Sequence, residues 1–309
     1  MGAAPPVDAV TATIGASEVA TVLGLGRTDH DGDLYVSELE LWSRLVGLLP
    51  RYDTSAAHPS AEVGRWFESA IVNRLAIERG WVPGVDIVPG PALHEPGIER
   101  AGVPWHARPD AIHTTSPGWR WLQTIEAKAP RRLYPEDWGT TADDIPPYYA
   151  AQVLAQLAVT ECESGILAAM ARDPGWDGRV WATYELRRDL RREAAMVAAV
   201  SAWLERHVER RMPPMPDGSD SATRTLRRVF TPVDDRVRVA TPADLEHYHR
   251  MLRSKDAADE LLAAMRLEQQ HLQQAMAEAT VLRTERGENL VTWRADKNGV
   301  RRWRNLEAL

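Results

Sequence analysis

The sequence predicts an α/β fold in which a sheet packs against helices, followed by a helical C-terminal extension that ends in a β-hairpin. Helical periodicity before residue 80 and over 147–160 and 189–211 alternates with strand signals over 85–128 and 165–186. Beyond residue 240, a long amphipathic pattern and an Asn-Gly turn predict the extension. Strands that alternate with helices are typical of a layered α/β core.

Composition narrows the class of protein before any motif is considered. The chain has 309 residues, 44 % hydrophobic and 26 % charged, which excludes disordered and collagen-like chains. Its single cysteine, Cys162, excludes an intrachain disulfide, an iron–sulfur cluster and a cysteine-rich zinc site. The chain starts without a signal-peptide pattern, and no apolar stretch approaches the about 20 residues that a bilayer requires. We therefore expect a soluble, cytoplasmic protein with no membrane contact.

The formal net charge of −7 shows that the chain as a whole is not basic. A nucleic-acid substrate would then need a local basic groove. Nearly all positive charge is arginine, since the lysines are only Lys128, Lys255 and Lys297. A lysine at a functional position is therefore informative.

The first helices are predicted by capping and by periodicity. Ser17 is a candidate N-cap for a short helix that ends at Gly24, and a second helix ends near Gly47. A third helix spans Ser60 to Arg79, and its apolar stripe consists of Val63, Phe67, Ile71 and Leu75. Glu68 lies on the flank of that stripe.

The strand signals begin after this helix. The segments 103–112 and 119–128 are predicted to pair as a meander across the turn at Ser116-Pro117-Gly118. A proline-rich break at residues 212–219 predicts the end of the first domain. We therefore expect an α/β domain over residues 1–215, a linker over 216–240, and a helix with a β-hairpin over 241–309.

Asp110, Glu126 and Lys128 are the main candidates for chemistry. Side chains two residues apart on a strand share one face, so Glu126 and Lys128 project together, and Asp110 reaches them if its strand pairs alongside. Carboxylates bind Mg²⁺, while a lysine can orient the nucleophile or neutralise charge on phosphorus. This combination is typical of phosphodiester hydrolysis. The alternative is a solvated ion pair, which Glu-x-Lys on a strand commonly forms.

Two helices offer further polar groups. Glu68 would add a carboxylate from the third helix. On the helix over 147–160, Tyr149, Gln152 and Gln156 share one face because they are spaced by three and four residues. An amide on that face can hold a water or a phosphate oxygen.

Six short motifs follow one another between residues 14 and 215. They are Ile14-Gly15-Ala16-Ser17-Glu18-Val19, Leu41-Trp42, Gly64-Arg65-Trp66-Phe67-Glu68, Arg108-Pro109-Asp110, Ile125-Glu126-Ala127-Lys128-Ala129-Pro130 and Tyr149-Ala150-Ala151-Gln152-Val153. In this order they resemble the YqaJ-like viral recombinase family, the phage lambda type of alkaline exonuclease, within the PD-(D/E)xK nuclease superfamily.

The resemblance implies a restriction-endonuclease-like core, with a mixed central sheet flanked by helices. It implies Mg²⁺-dependent digestion of linear double-stranded DNA from its ends, from 5′ to 3′, with Mn²⁺ as a substitute metal. The single-stranded product would serve phage-type homologous recombination with a single-strand annealing protein. Since members of the family often form rings around DNA, a homo-oligomer is also expected.

The resemblance also implies roles for individual residues. Asp110, Glu126 and Glu68 would be metal ligands, Lys128 the catalytic lysine, and Gln152 a residue of the active-site helix. DNA and its terminal 5′-phosphate would be bound by Ser17, Arg27 and Tyr149. From the residues themselves, Arg131 and Arg132, directly after the catalytic strand, are further candidates for contacts with DNA phosphates.

Two other functions are compatible with the same pattern. The core could cut DNA internally as an endonuclease, which a covalently closed circle would reveal. It could also be a catalytically silent DNA-binding scaffold for recombination, although clustered acids facing a polyanion disfavour this. The C-terminal hairpin mixes tryptophan with basic residues, which is compatible with a DNA-binding flap or with an ordinary surface hairpin.

Overall fold

The computed structural model describes residues 14–26, 35–51, 59–90, 97–115, 120–173, 178–231 and 237–305, without the side chains of 59–63 and 65. The chain divides into two compact units, Met1–Pro232 and Val233–Leu309. Within the described residues, no helix combines the length and the apolar character that crossing a bilayer requires.

A five-stranded mixed sheet forms the centre of the first unit. Its strands, in spatial order, are β2 (Ile87–Pro89), β4 (Ala111–Thr115), β5 (Arg120–Lys128), β6 (Ser164–Met170) and β7 (Trp181–Arg187). Strands β5 and β6 run parallel, whereas the other neighbours are antiparallel. Two shorter strands, β1 (Ile14–Gly15) and β3 (Trp105–His106), pair with each other. The predicted α/β fold with a mixed central sheet is confirmed.

Helices cover both faces of this sheet. On one face, Ile71 and Leu75 of α3 (Pro59–Arg79) pack against Ile125 and Ile166. On the other, α4 (Pro147–Thr160) connects the parallel strands β5 and β6, as such a pair requires. The remaining helices of this unit are α1 (Ala16–Val22), α2 (Glu38–Leu45), α5 (Leu190–Trp203), which continues into a π-helical segment (Leu204–Glu209), and α6 (Asp220–Val229).

Glycine at position 165 brings α4 close to the sheet. A Cβ at Gly165 would lie 2.6 Å from Oγ1 of Thr124 on β5 and 2.8 Å from Cγ1 of Val153 on α4. A larger residue would therefore push the helix away from the strand. Because α4 carries Gln152 and Gln156, this close packing places their amides within reach of β5.

The structure corrects two local predictions. The strand expected over 103–112 is divided into β3 and β4, because Pro109 between them has no N–H to donate to a ladder. Ser17 is not the N-cap of α1: the cap is Gly15, whose N–H donates to Oε2 of Glu18 at 2.7 Å. Ser17 is exposed in the first turn of the helix.

The expected linker over 216–240 contains a packed helix. Within it, α6 contacts α2, where the N–H of Ser37 donates to Oγ of Ser221 at 2.8 Å. The Ser221 hydroxyl in turn donates to Oε2 of Glu40 at 2.6 Å. The first unit therefore extends beyond residue 215 to include α6.

The second unit consists of a long helix and a small sheet. Helix α7 (Pro242–Met276) precedes the antiparallel strands β8 (Val281–Arg283), β9 (Asn289–Ala295) and β10 (Arg301–Asn305). The predicted hairpin is β9–β10, with Gly299 in its turn at φ +79°. Strand β8 was not predicted, and α7 ends at Met276 because the following residues turn into this strand.

Candidate active site

Strand pairing brings Asp110 beside Glu126. In the antiparallel pair β4–β5, Ala111 lies opposite Ile125, so the residues next to this pair point to the same side of the sheet. The N–H of Asp110 donates to the Ile125 carbonyl at 3.0 Å. The N–H of Ala127 donates to Oδ2 of Asp110 at 2.7 Å, which fixes the carboxylate against β5.

The chain also clamps Asp110 from β2. The N–H of Gly90, directly after β2, donates to the Asp110 carbonyl at 3.0 Å. A Cβ at Gly90 would lie 1.7 Å from the Pro109 carbonyl oxygen, so only glycine permits this approach. The role of Gly90 is not evident from the sequence, since nothing local distinguishes it from an ordinary loop glycine.

Glu126 is the centre of a polar network. It is only 3 % exposed, and Lys128 donates to its Oε1. From α4, Nε2 of Gln152 donates to Oε1 at 2.6 Å and Nε2 of Gln156 donates to Oε2 at 2.5 Å. A buried carboxylate costs free energy unless it is paired and hydrogen-bonded, and these donors supply both.

Gln156 belongs to the polar face of α4 that the sequence predicts, and the structure adds its contact with Glu126. Its position on the same helix face as Gln152 was evident, but its burial was not. The side chain is 1 % exposed, and its Nε2 contacts the candidate metal ligand Glu126.

Lys128 is held as a cation. Burial lowers its pKa, but the carboxylates of Glu126 and Asp110 outweigh this effect, so the pKa is raised above its ordinary value. Its Nζ lies 5.3 Å from the centre of the Tyr149 ring. Tyr149 is 5 % exposed and packs against Trp138, so the structure places it against Lys128 rather than on a DNA-contacting surface.

The two carboxylates repel each other. The pKa of Asp110 is raised well above its ordinary value, first by burial and then by the charge of Glu126. Lys128 and the Ala127 N–H act in the opposite direction. Glu68 raises the same pKa more weakly, through its charge. A site with this surplus of negative charge favours a bound cation.

The donor set fits Mg²⁺ with two protein carboxylates. Among the described residues, no three His, Cys, Asp or Glu side chains are grouped closely enough to hold a metal ion. Mg²⁺ is usually bound by one or two carboxylates, with water and substrate phosphate completing its coordination. Asp110 and Glu126 meet that requirement. Glu68 lies on α3, which packs on the face opposite α4, and contributes charge rather than a third grouped ligand.

The expected DNA-binding residues differ in their exposure and in their partners. Arg131 is exposed directly beyond β5, whereas Arg132 forms an ion pair of 2.7 Å with Asp173. Ser17 is exposed on α1. Arg27 lies outside the described residues, so a pocket formed by Ser17 and Arg27 is still a prediction.

Comparison with solved structures finds exonucleases. An alkaline exonuclease from Laribacter hongkongensis shares 18 % identity with a TM-score of 0.43, covering 65 % of this chain and 91 % of that one. The same enzyme in complex with dAMP shares 20 % identity with a TM-score of 0.42 over the same shares. A phage-related exonuclease from Haemophilus somnus shares 12 % identity with a TM-score of 0.43, covering 65 % of this chain and 96 % of that one.

No protein-family profile and no curated protein matches the sequence. The chemistry proposed below therefore rests on the contacts of the site itself.

Proposed function

We propose that the protein is a Mg²⁺-dependent exodeoxyribonuclease that digests linear double-stranded DNA from its ends, from 5′ to 3′. The observation that carries the proposal is the buried Glu126, held by Lys128, Gln152 and Gln156 beside Asp110. Two carboxylates and a lysine at one point of a sheet are typical of sites for metal-dependent phosphodiester hydrolysis.

Each residue has a role that follows from its contacts. Asp110 and Glu126 would hold Mg²⁺, which when bound lowers the pKa of a water and neutralises phosphate charge. The amides of Gln152 and Gln156 fix both oxygens of Glu126, so the ligand is oriented before substrate arrives. The ammonium of Lys128 stabilises the negative charge that develops on the phosphate as the bond to the leaving oxygen breaks.

A catalytic role explains this site better than a silent DNA-binding scaffold does. Carboxylates that face DNA repel its phosphates, and burying Glu126 requires three side-chain donors. A binding module gains nothing from such an arrangement. With a divalent cation bound, the same carboxylates attract the phosphate.

The proposal includes the setting of the reaction. The enzyme would act in the cytoplasm, as a homo-oligomer, and pass single-stranded DNA to a single-strand annealing protein for phage-type recombination. Ser17 and Arg27 would bind the terminal 5′-phosphate, and Mn²⁺ would replace Mg²⁺. Each of these points is a prediction that rests on the sequence resemblance.

The test uses linear 5′-phosphorylated duplex DNA, labelled at either end, beside a covalently closed circle. We expect loss of the linear DNA with Mg²⁺ or Mn²⁺, early release of the 5′ label, an intact circle, and no digestion with chelator. Cutting of the circle would instead establish the endonuclease alternative. Binding without digestion of either substrate would establish the scaffold.

A further inference from the structure

The pairing of β9 with β10 sorts the arginines of the second unit onto two faces. Trp303 lies opposite Trp293, and Arg301 lies opposite Ala295, on one face. Directly opposed residues share a face, and faces alternate along each strand. The other face therefore carries Arg294 opposite Arg302, and Arg304 opposite Thr292. We call Arg294, Arg302 and Arg304 the arginine face.

Residues on the tryptophan side of this sheet make contacts within the second unit. Val291 on that side is buried. The Arg301 guanidinium lies 3.6 Å from the centre of the Trp293 ring and donates to the Ala277 carbonyl at 2.6 Å. Arg301 also donates to the Ala279 carbonyl. This arginine therefore fixes the sheet to the end of α7, and its role is structural.

The arginine face has no comparable use within the unit. All three of its arginines are exposed. Asp296 pairs with Arg302 at 2.9 Å, but among the described residues neither Arg294 nor Arg304 has an ion-pair or hydrogen-bond partner. Arg294 and Arg302 lie directly opposite each other, where like charges repel, and the ion pair with Asp296 offsets only part of this charge. A bound anion would relieve that repulsion.

The local charge is opposite in sign to that of the chain. Between residues 289 and 305 there are five basic residues and one acidic residue, whereas the whole chain has a net charge of −7. Three of these five basic residues, Arg294, Arg302 and Arg304, lie on the arginine face, and such a local excess of positive charge complements a polyanion.

We propose that the arginine face binds the phosphate backbone of double-stranded DNA, as a second contact outside the active site. The identity of the nucleic acid as DNA rests on the proposed function. Arg302 and Arg304, two residues apart on one strand, lie ~6.7 Å apart, and Arg294 lies across from them, so the three can contact several phosphates. Guanidinium groups bind phosphate through paired N–H donors. Contacts with phosphates carry no sequence information, so we expect this binding to be independent of sequence.

The test is DNA binding by the full chain in chelator, where hydrolysis cannot occur, at a series of salt concentrations. The double variant Arg294→Gln/Arg304→Gln should raise the Kd about tenfold. It should also make the negative slope of log K against log salt shallower by about 2. The variant Arg294→Lys/Arg304→Lys should keep the slope, because it keeps the charge. The matched control Arg253→Gln/Arg286→Gln removes the same charge elsewhere in the unit and should leave both quantities unchanged.

Two outcomes overturn the inference. The first is an unchanged Kd and slope in the folded glutamine variant. The second is arginine-dependent binding to vesicles of phosphatidylcholine and phosphatidylserine without any effect on DNA, which would make the ligand a membrane. If the glutamine pair does not fold, the single variants of Arg294 and Arg304 decide, each with an expected slope change of about 1. Digestion in Mg²⁺ is scored separately, so failure of this surface and failure of the proposed function give different results.

Discussion

Gln156 donates a hydrogen bond of 2.5 Å to Oε2 of Glu126, at a position where both side chains are almost fully buried. Gln152, one turn earlier on α4, donates to the other oxygen. The helix therefore determines the orientation of a candidate metal ligand that belongs to a strand. Because α4 packs closely against the sheet at Gly165, the two glutamine side chains are long enough to contact Glu126.

Gln156→Leu should reduce kcat for linear duplex DNA by about tenfold or more, because an outer contact that orients a ligand is lost. KM should change little, since Gln156 is buried and does not contact substrate. The control is Gln123→Leu, which removes a 2.9 Å hydrogen bond to Ser164 elsewhere on β5. That variant should lose stability but keep its kcat, and an equal loss of kcat in both variants would remove the specific role of Gln156.

Gly90→Ala should destabilise the protein by about 3 kcal/mol, because the added Cβ would overlap the Pro109 carbonyl. Activity should fall as well, since Asp110 is displaced. Gly64→Ala in α3 meets nothing within 4 Å and should stabilise the protein by about 0.5–1 kcal/mol. Urea denaturation measures both changes, and the same sign for both would contradict the steric explanation.

Arg131→Gln should weaken DNA binding in chelator and reduce its salt dependence by about one phosphate contact. Arg131 is exposed, whereas Arg132 is engaged with Asp173. Arg132→Gln should therefore have a smaller effect on binding. Fluorescence anisotropy over a salt series compares the two, and a larger effect for Arg132 would show that its ion pair opens on DNA.

Glu193 should make stability depend on pH in the acid range. Hydrogen bonds from Arg188 and then Arg100 lower its pKa below the ordinary value. Because the folded pKa is the lower one, this stabilisation is present above the unfolded pKa of about 4.5 and is lost as the pH falls through the folded value. Glu193→Gln should therefore cost stability at pH 7 and progressively less at lower pH, as measured by urea denaturation. If the loss of unfolding free energy in Glu193→Gln does not depend on pH, the contacts with Arg188 and Arg100 are not the source of that loss.

Local patterns predicted the elements of the fold but not all of their boundaries. Strand β5 and helix α4 follow their predicted bounds closely, and the shared face of Glu126 and Lys128 follows from strand geometry. Strand β8 has only three residues and forms through pairing with β9, which a local window does not detect. Helix α6 buries the small residues Ser221, Ala222 and Thr225 instead of large apolar side chains, so the sequence does not show that it packs against α2.

The site was predictable where it depends on spacing and not where it depends on tertiary packing. Asp110 is adjacent to Glu126 because of strand register, which the turn between their strands indicated. The burial of Tyr149 depends on Trp138, and the approach of Gly90 depends on β2, so neither was evident along the chain. Glu68 was indicated by its place on the flank of the apolar stripe of α3 as well as by the motif resemblance, and its charge raises the pKa of Asp110.

We infer that Asp110, Glu126 and Lys128 together catalyse the hydrolysis of DNA. The most direct measurement is digestion of linear duplex DNA with Mg²⁺ by Glu126→Gln and Lys128→Met, each checked for folding and for DNA binding in chelator. We expect digestion to fall by about 100-fold or more in each variant while folding and binding are retained. Digestion at the unaltered rate in both variants would contradict the assignment.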